Sequence, residues 1–204
     1  MRVVAGEAKG RKLKAPDTMG TRPIIDRVKT ALFDILSGEV EDTRFLDLFG
    51  GVGSVGIEAL SRGAAHATFI EMNYNVLKVL RENLQITGLA DRAETLHGDA
   101  FKFLQQNSTS SQSIQKPAYD IIYVAPPQYQ SMAARTLELL DGSPLVADDG
   151  LVIVQIHPKE RPVVAAVQCK RLVLSDERRY GSTLLMFYRV KEENPTDVDT
   201  ISET

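Results

Sequence analysis

Glycines and an acidic residue follow two successive strand-like segments, at a spacing that could hold a nucleotide cofactor. Gly51, Gly53 and Gly56 match the Gly-x-Gly-x-x-Gly pattern directly after the apolar segment 44–49. Glycine lets the backbone turn sharply and come close to a bound ligand. Glu71 stands twenty residues after Gly51, where a carboxylate accepts hydrogen bonds from the hydroxyls of a ribose. This pair of features is compatible with a nicotinamide dinucleotide and with S-adenosylmethionine.

Two further acids favour S-adenosylmethionine. Asp47 precedes the glycines, where its carboxylate would attract the cationic amino-acid end of that cofactor and repel a pyrophosphate. Asp99, in the segment Gly98-Asp99-Ala100, follows a third strand-like segment and can accept a hydrogen bond from an adenine amino group. Taken alone, each acid is equally compatible with a helix N-cap or a solvated loop end. Acids at three consecutive strand ends favour a cofactor site.

A rigid loop, Ala125-Pro126-Pro127-Gln128-Tyr129, follows a fourth strand-like segment. Proline fixes the backbone and has no N–H, so a Pro-Pro pair leaves carbonyl groups free to accept hydrogen bonds. A plain turn is the simpler interpretation. In an open parallel sheet, however, ligands bind beyond the carboxyl ends of the strands. The loop is therefore predicted to clamp a base at the mouth of the cofactor site.

The elements that must position these residues alternate between strand and helix. Segment 119–124 (YDIIYV) is nearly apolar throughout, as expected of a strand that is covered on both faces. Such alternation predicts an α/β fold with a mainly parallel, Rossmann-like sheet and helices on both faces. The last two strands, joined by Asp176–Gly181, are predicted to form an antiparallel hairpin at the edge of a seven-stranded sheet. The predicted strands are 44–49, 67–70, 93–96, 119–124, 151–156, 170–174 and 184–188. Predicted N-caps are Asp26, Ser54 and Asn73, and predicted helix ends lie at Gly38, Arg62 and Gly88.

Positive charge is concentrated at the N-terminus. Residues 1–29 hold eight Lys or Arg and three acids, whereas residues 192–204 hold five acids and no base. A basic end can bind phosphates even though the whole chain has a net charge of −3; a merely solvated basic face is the alternative. Residues 1–15 are predicted to form a short hairpin with Gly6 and Gly10 near its turn. The polar segment 105–117 is predicted to be a flexible loop.

Composition predicts a cytoplasmic protein without a metal site. Cys169 is the single cysteine, so no internal disulfide is possible, and the three histidines show no metal-ligand spacing. No apolar run approaches the roughly 20 residues of a membrane-spanning helix. We expect a monomer with one domain over residues 1–190, divided into an N-terminal hairpin and helix (1–38) and a Rossmann-like core (39–190). Residues 191–204 are predicted to be a disordered acidic tail.

Several motifs together resemble the small-subunit (16S) ribosomal RNA guanine-N2 methyltransferases of the RsmD type. The resemblance runs from Met1 to about Val190. Its motifs are MRVVAGEAKGRKL at the start, TRPIIDRVKTALFDIL, FLDLFGGVGSVGIEALSRGA, Glu71, GDA at 98–100 and RRYGSTLLMFY near the end. The resemblance implies a class I S-adenosylmethionine-dependent fold. It also implies methyl transfer to the exocyclic amine of a guanine in small-subunit rRNA or in the assembling subunit.

One departure from the family stands in the proline loop. The family usually carries Asp-Pro-Pro-Tyr or Asp-Pro-Pro-Phe, and this chain has Ala125-Pro126-Pro127-Gln128. The resemblance implies that the Asp side chain and a Pro carbonyl accept hydrogen bonds from the N–H groups of the guanine amine. The aromatic ring would stack on the extruded base. Ala125 has no side-chain acceptor and Gln128 has no ring. Pro126 keeps its carbonyl, and Tyr129 could supply the ring.

Three functions follow from these observations. The leading one is rRNA guanine-N2 methylation with S-adenosylmethionine as cofactor. The second is an RNA-binding relative with weakened catalysis, supported by Ala125. The third, a nicotinamide-dependent oxidoreductase, rests on the glycine pattern and Glu71. For the leading function, the expected cofactor-binding residues are Asp47, Phe49, Gly50, Gly51, Gly53, Glu71, Met72, Asp99 and Ala100. The expected catalytic loop is Ala125, Pro126, Pro127 and Tyr129, and the expected RNA contacts are Arg2, Arg11, Lys12, Arg22 and Tyr180.

Overall fold

A single seven-stranded sheet forms the centre of the chain in the computed structural model, which describes residues 1–15, 26–107, 118–128 and 131–191. The strands are β1 (Arg44–Asp47), β2 (His66–Glu71), β3 (Ala93–His97), β4 (Tyr119–Val124), β5 (Val146–Ile156), β6 (Leu172–Tyr180) and β7 (Thr183–Val190). Their spatial order is β3-β2-β1-β4-β5-β7-β6. Strands β1 to β5 pair in parallel, and β7 is antiparallel to both β5 and β6. The predicted α/β class with its antiparallel edge hairpin is confirmed.

Helices cover the two faces of the sheet. They are α1 (Asp26–Ile35), α2 (Ser54–Ser61), α3 (Tyr74–Thr87), α4 (Ala100–Gln106), α5 (Met132–Leu140) and α6 (Arg161–Ala165). Helices α1, α2 and α3 contribute buried side chains to one apolar cluster, and α4, α5 and α6 contribute to a second cluster on the opposite face. Side chains of the central strands alternate between the two clusters because successive residues of a strand point to opposite faces. We refer to these as the α1–α3 face and the α4–α6 face.

Local capping signals set the boundaries of α3. The Asn73 side chain accepts hydrogen bonds from the backbone N–H groups of Asn75 and Val76, and Gly88 ends α3 in the left-handed conformation. Both predictions are confirmed. The predicted N-cap at Ser54 is wrong: Gly53 is the N-cap of α2, and the buried hydroxyl of Ser54 has no hydrogen-bond partner among the described residues.

Asp26, the predicted N-cap, is the first described residue of α1, and residues 21–25 lie outside the described part of the chain, so that boundary stays a prediction. The predicted connection Asp176–Gly181 is too long, because Tyr180 already pairs with Thr183 across a two-residue turn. The side chains of that segment are mostly charged and exposed. It therefore lacks the apolar alternation from which a strand is predicted.

The N-terminal segment, residues 1–15, folds back on itself and docks on α2. Arg2 and Lys12 form an antiparallel bridge, as the predicted hairpin requires. Gly6 lies in the left-handed region with φ +79°, and a Cβ atom there would lie 1.7 Å from the carbonyl oxygen of Ser61. Only glycine therefore lets the segment approach α2 so closely.

Some sequence predictions lie outside the described residues: the positions Arg22 and Tyr129, most of the segment 105–117, and the acidic tail from residue 192. Within the part of the chain that the structure describes, no helix has both the length and the hydropathy needed to cross a membrane.

Candidate cofactor and substrate site

The glycine loop leaves the carboxyl end of β1 and turns tightly into α2. The Gly50 N–H donates to the Ile70 carbonyl at 2.8 Å, and the Gly53 N–H donates to the Gly50 carbonyl at 2.8 Å. Gly53 has φ +85°, a conformation that favours glycine. Gly56 serves packing instead, because a Cβ atom there would lie 2.3 Å from the Phe69 ring. The pattern thus combines a tight turn with close contact between α2 and β2.

Glu71 ties the glycine loop to the end of β2. Its Oε2 accepts the Gly51 N–H at 2.9 Å, and its Oε1 accepts the Asn73 N–H at 2.7 Å. Each carboxylate oxygen has two lone pairs, so both oxygens can accept one more hydrogen bond. Glu71 is half-buried. Its position beside Gly51 fits the ribose contact predicted from the spacing of the two residues.

Asp47 is a buried carboxyl group at the foot of the loop. Its side chain is 2% exposed, and Oδ1 has no hydrogen-bond partner among the described residues. Burial raises the pKa of Asp47 to about 7, partly offset by hydrogen bonds to the backbone of Phe49 and Gly56 and reinforced by the nearby charge of Glu71. A buried, unpaired carboxyl oxygen lacks a cationic or N–H partner. The ammonium group of S-adenosylmethionine fits that requirement.

The loop after β3 lies next to the end of β2. The Gly98 N–H donates to the Glu71 carbonyl at 3.1 Å. Asp99 is the N-cap of α4, where its side chain accepts the Lys102 N–H at 2.9 Å. The capping role, one of the interpretations given for this acid taken alone, is therefore present, and Oδ2 accepts no hydrogen bond from the described residues, which leaves it free for an adenine amino group. Ala100 follows as the first residue of α4.

Exposed and aromatic side chains flank this edge. Met72 is 68% exposed, and its carbonyl lies 3.0 Å from the Nε2 atom of His97. Phe49 packs edge-to-face against Phe101 with ring centroids 6.4 Å apart. Phe49 and Met72 are among the residues predicted from the sequence, and His97 and Phe101, which contact them, are not. Both lie directly beside Gly98-Asp99-Ala100, which is the sequence signal that points to them.

The proline loop leaves β4 next to β1. Pro126 is buried, Pro127 is half-buried and Gln128 is exposed. Ala125 packs against the apolar cluster of the α1–α3 face. The four residues bring the loop to the same edge of the sheet as Asp47, because β4 and β1 pair in parallel with Asp47 opposite Tyr123.

Those expected RNA-contacting residues that the structure describes lie on two separate elements. Arg2, Arg11 and Lys12 are exposed on the N-terminal segment, and no ion pair engages them among the described residues. Tyr180 ends β6 and packs against the cluster of the α1–α3 face. Because β7 is antiparallel to β5, the β6–β7 turn lies at the edge where β4 and β5 end. The structure thus places Tyr180 at the edge of the sheet where the parallel strands end.

Asn83 joins the N-terminal segment to the glycine loop, a link that no sequence pattern predicts. This fully buried residue of α3 accepts the Lys14 N–H at 2.8 Å. Its Nδ2 donates to the carbonyls of Lys14 and Val52 at 3.0 and 2.9 Å. The segment that carries the predicted RNA contacts is therefore bonded, through one side chain, to the loop between Gly51 and Gly53.

The strand order and the four loops at the carboxyl ends define the Rossmann-like fold of class I S-adenosylmethionine-dependent methyltransferases. The chain belongs to the family described as "Conserved hypothetical protein 95", whose model matches residues 1–189. The resemblance seen in the sequence motifs is confirmed.

Individual relatives agree with this assignment. "Ribosomal RNA small subunit methyltransferase D" of Escherichia coli strain K12 is 34% identical over 200 residues, covering 98% of this chain and 94% of that protein. The structure of "Putative methyltransferase yhhF" from Escherichia coli has a TM-score of 0.78 at 33% identity, covering 94% of this chain and 98% of that chain. An RNA methyltransferase from Salinibacter ruber, solved in complex with S-adenosyl-L-homocysteine, has a TM-score of 0.61 at 18% identity. The superposition covers 87% of this chain and 99% of the Salinibacter ruber chain. At 18% identity, this similarity shows the fold alone.

Proposed function

We propose that this chain transfers the methyl group of S-adenosylmethionine to the exocyclic N2 of a guanine in small-subunit ribosomal RNA. The observation that carries the proposal is the buried, unpaired oxygen of Asp47 beneath a glycine loop that is tied to Glu71. Nearly full-length similarity to a small-subunit rRNA methyltransferase supports the RNA substrate. We further propose one domain over residues 1–190 and a cytoplasmic monomer acting on the RNA or the assembling subunit.

The residues of the site have separate tasks in this proposal. Asp47 holds the ammonium end of the cofactor, Glu71 the ribose and Asp99 the adenine, with Phe49, Gly50, Met72 and Ala100 lining the same loops. When bound, S-adenosylmethionine supplies an electrophilic methyl group to an aligned nucleophile. The exocyclic amine of guanine is a weak nucleophile because its lone pair is delocalised into the ring. The Pro126 carbonyl accepts a hydrogen bond from one N–H group of the amine and so helps to direct the nitrogen lone pair towards the methyl group.

The direct test is methyl transfer from labelled S-adenosylmethionine to small-subunit rRNA, both naked and in partially assembled particles, with the product nucleoside identified by mass spectrometry. We expect N2-methylguanosine at one position. Transfer to another atom or another RNA would contradict the guanine-N2 assignment. Absence of transfer from a protein that binds the cofactor would favour the alternative described next.

The second candidate is an RNA-binding relative with weak catalysis, and Ala125 is the observation that favours it. If the chain lacks an acceptor for the amine, Ala125→Asp should restore a charge-assisted hydrogen bond worth about 1.5–3 kcal/mol. The expected gain in kcat is then at least about tenfold, measured in the same transfer assay. The Ala125→Asn variant, which offers a neutral acceptor of similar size, is the control. A lower kcat in Ala125→Asp than in an active wild type would show that the loop uses another arrangement.

The basic N-terminal segment should make RNA binding dependent on salt. The double variant Arg11→Ala/Lys12→Ala is expected to reduce the slope of log Kd against log salt concentration by about 0.7 for each phosphate that these side chains neutralise. Lys170→Ala is the matched control, because Lys170 is exposed and precedes the start of β6, at the end of the sheet opposite the loops that follow β1 to β4. Fluorescence anisotropy with labelled rRNA fragments measures both slopes. Equal slopes in the two variants would show that Arg11 and Lys12 do not contact the phosphates of the RNA.

A further inference from the structure

Gln155, near the end of β5, carries a carboxamide whose N–H donors are unused among the described residues. The side chain is partly exposed, and its Oε1 accepts the Tyr123 hydroxyl at 2.7 Å. Its Nε2 donates no hydrogen bond to any described residue. Ile153 belongs to the cluster of the α1–α3 face, so the alternation of β5 places Gln155 on that same face. The neighbouring Val154 and Ile156 belong to the cluster of the opposite face.

The carboxamide lies beside the departure from the family pattern. Val124 of β4 pairs with Val154 of β5 in parallel register, so Ala125 and Gln155 each follow this pair by one residue. Ala125 and Tyr123 both pack on the α1–α3 face. Gln155 therefore occupies the same face and the same edge of the sheet as the position where the family carries an acidic side chain.

The chemistry of a carboxamide matches one edge of guanine. Guanine presents the N2–H donor beside the N3 acceptor, and a carboxamide presents an oxygen acceptor beside a nitrogen donor. A pair of this kind forms two parallel hydrogen bonds, as side-chain amides do with base edges elsewhere. The Oε1 atom has two lone pairs, so it can accept a guanine N2–H while it still accepts the Tyr123 hydroxyl.

We propose that Gln155 contacts the target base: Oε1 accepts an N2–H of guanine, replacing the acceptor that Ala125 lacks, and Nε2 donates to N3. Tyr123 is a positioning residue that holds the carboxamide. Burial, together with the charge of Asp47, raises the pKa of Tyr123 well above its usual value, so its hydroxyl stays a neutral donor. The inference rests on the proposed guanine-N2 function and names a further residue of that site.

Three variants test the contact in the transfer assay. Gln155→Leu removes the two hydrogen bonds that Gln155 makes to the base, and we expect kcat to fall about tenfold. Gln155→Glu keeps an acceptor and loses the donor, so kcat should stay within about threefold of wild type while KM for the RNA rises about tenfold. The double variant Tyr123→Phe/Gln155→Leu leaves no unpaired hydroxyl in the core. It should fold as well as wild type and keep the low kcat.

Controls separate a contact with the base from a structural role. Gln168→Leu, at an exposed glutamine after α6, should leave kcat unchanged. The cofactor Kd of every variant, measured by calorimetry, should equal that of wild type. A double variant with the kcat of Gln168→Leu would show that Gln155 only satisfies Tyr123, and the inference would fall. A Gln155→Glu variant as impaired in kcat as Gln155→Leu would also overturn it.

A binding experiment makes the outcome independent of turnover. With S-adenosylhomocysteine present, wild type should bind a short single-stranded RNA with one guanosine about tenfold more tightly than the same RNA with inosine, which lacks N2. Gln155→Leu should discriminate less than wild type, because only the Pro126 carbonyl then accepts an N2–H. If wild type discriminates and yet forms no N2-methylguanosine, the proposed function fails and the contact stands. If wild type forms the product but does not discriminate, or Gln155→Leu discriminates as wild type does, the contact is wrong.

Discussion

Replacing Glu58 by alanine should lower the free energy of unfolding by about 3–5 kcal/mol, because it leaves a buried charge without its partner. The Glu58 side chain is fully buried and lies 3.2 Å from Nζ of Lys29, which is also fully buried. Its oxygens also accept the N–H groups of Val4 and Ala5 at 2.8 and 2.9 Å and the Arg62 Nε at 2.9 Å. Without this carboxylate, Lys29 keeps only the Arg2 carbonyl as an acceptor among the described residues.

Chemical denaturation followed by circular dichroism measures this loss. Glu82→Ala is the matched control, because Glu82 pairs with Lys14 on the surface, where both side chains are more than half exposed. An exposed pair contributes about 0–1 kcal/mol. Glu58→Gln should lie between the two, since the amide oxygen still accepts a hydrogen bond and the charge is lost. A loss in Glu58→Ala no greater than in Glu82→Ala would mean that water reaches Lys29.

Cofactor affinity should weaken about tenfold for each pH unit below pH 7, down to about pH 5. The reason is the pKa of Asp47, which burial raises to about 7 in the free protein. Below that pH the carboxyl group is protonated, and binding a cationic ammonium group requires release of the proton. The upper limit of the window lies near the pKa of an α-amino group, about 7.7, where the cofactor itself loses its charge.

Isothermal titration calorimetry of S-adenosylmethionine binding between about pH 5.5 and about pH 7 tests this prediction. Asp47→Asn should bind with a Kd near that of wild type at the acid end, and this Kd should not change with pH. A pH dependence that persists in Asp47→Asn would assign it to another group.

The same pKa shift affects the stability of the free protein. The folded chain holds the Asp47 proton more tightly than the unfolded chain does, so this group stabilises the fold below its ordinary pKa of 3.8. That contribution is lost as the pH rises towards about 7. Asp47→Asn should therefore be more stable than wild type above pH 7 in the absence of cofactor. Thermal melting at several pH values checks the sign.

Much of the fold was predictable because its signals are local. Strand β4 was predicted with its observed limits, and Asn73 and Gly88 bound α3 as expected. Each depends on a few neighbouring residues: an apolar run, a side chain that caps its own helix, a glycine that tolerates positive φ. The Ser54 prediction failed for the complementary reason. Gly53 holds the N-cap position in the left-handed conformation, and a Cβ atom there would lie 3.2 Å from Cγ of Leu80, a residue remote in sequence.

The sequence alone determined the order of the site's parts along the chain: a glycine loop after β1, acids at the ends of β1 and β2 and after β3, and a proline loop after β4. Because the strands are parallel, the loops at their carboxyl ends lie at the same edge of the sheet, so the proximity of these loops follows from the topology. Only the tertiary structure decided which carboxyl group is buried and unpaired, that Glu58 and Asn83 hold the N-terminal segment, and that Gln155 lies beside Ala125. These contacts join residues that are 29 to 69 positions apart. Hydrogen bonds and desolvation depend on distance in space, and the spacing of residue types along the chain does not encode that distance.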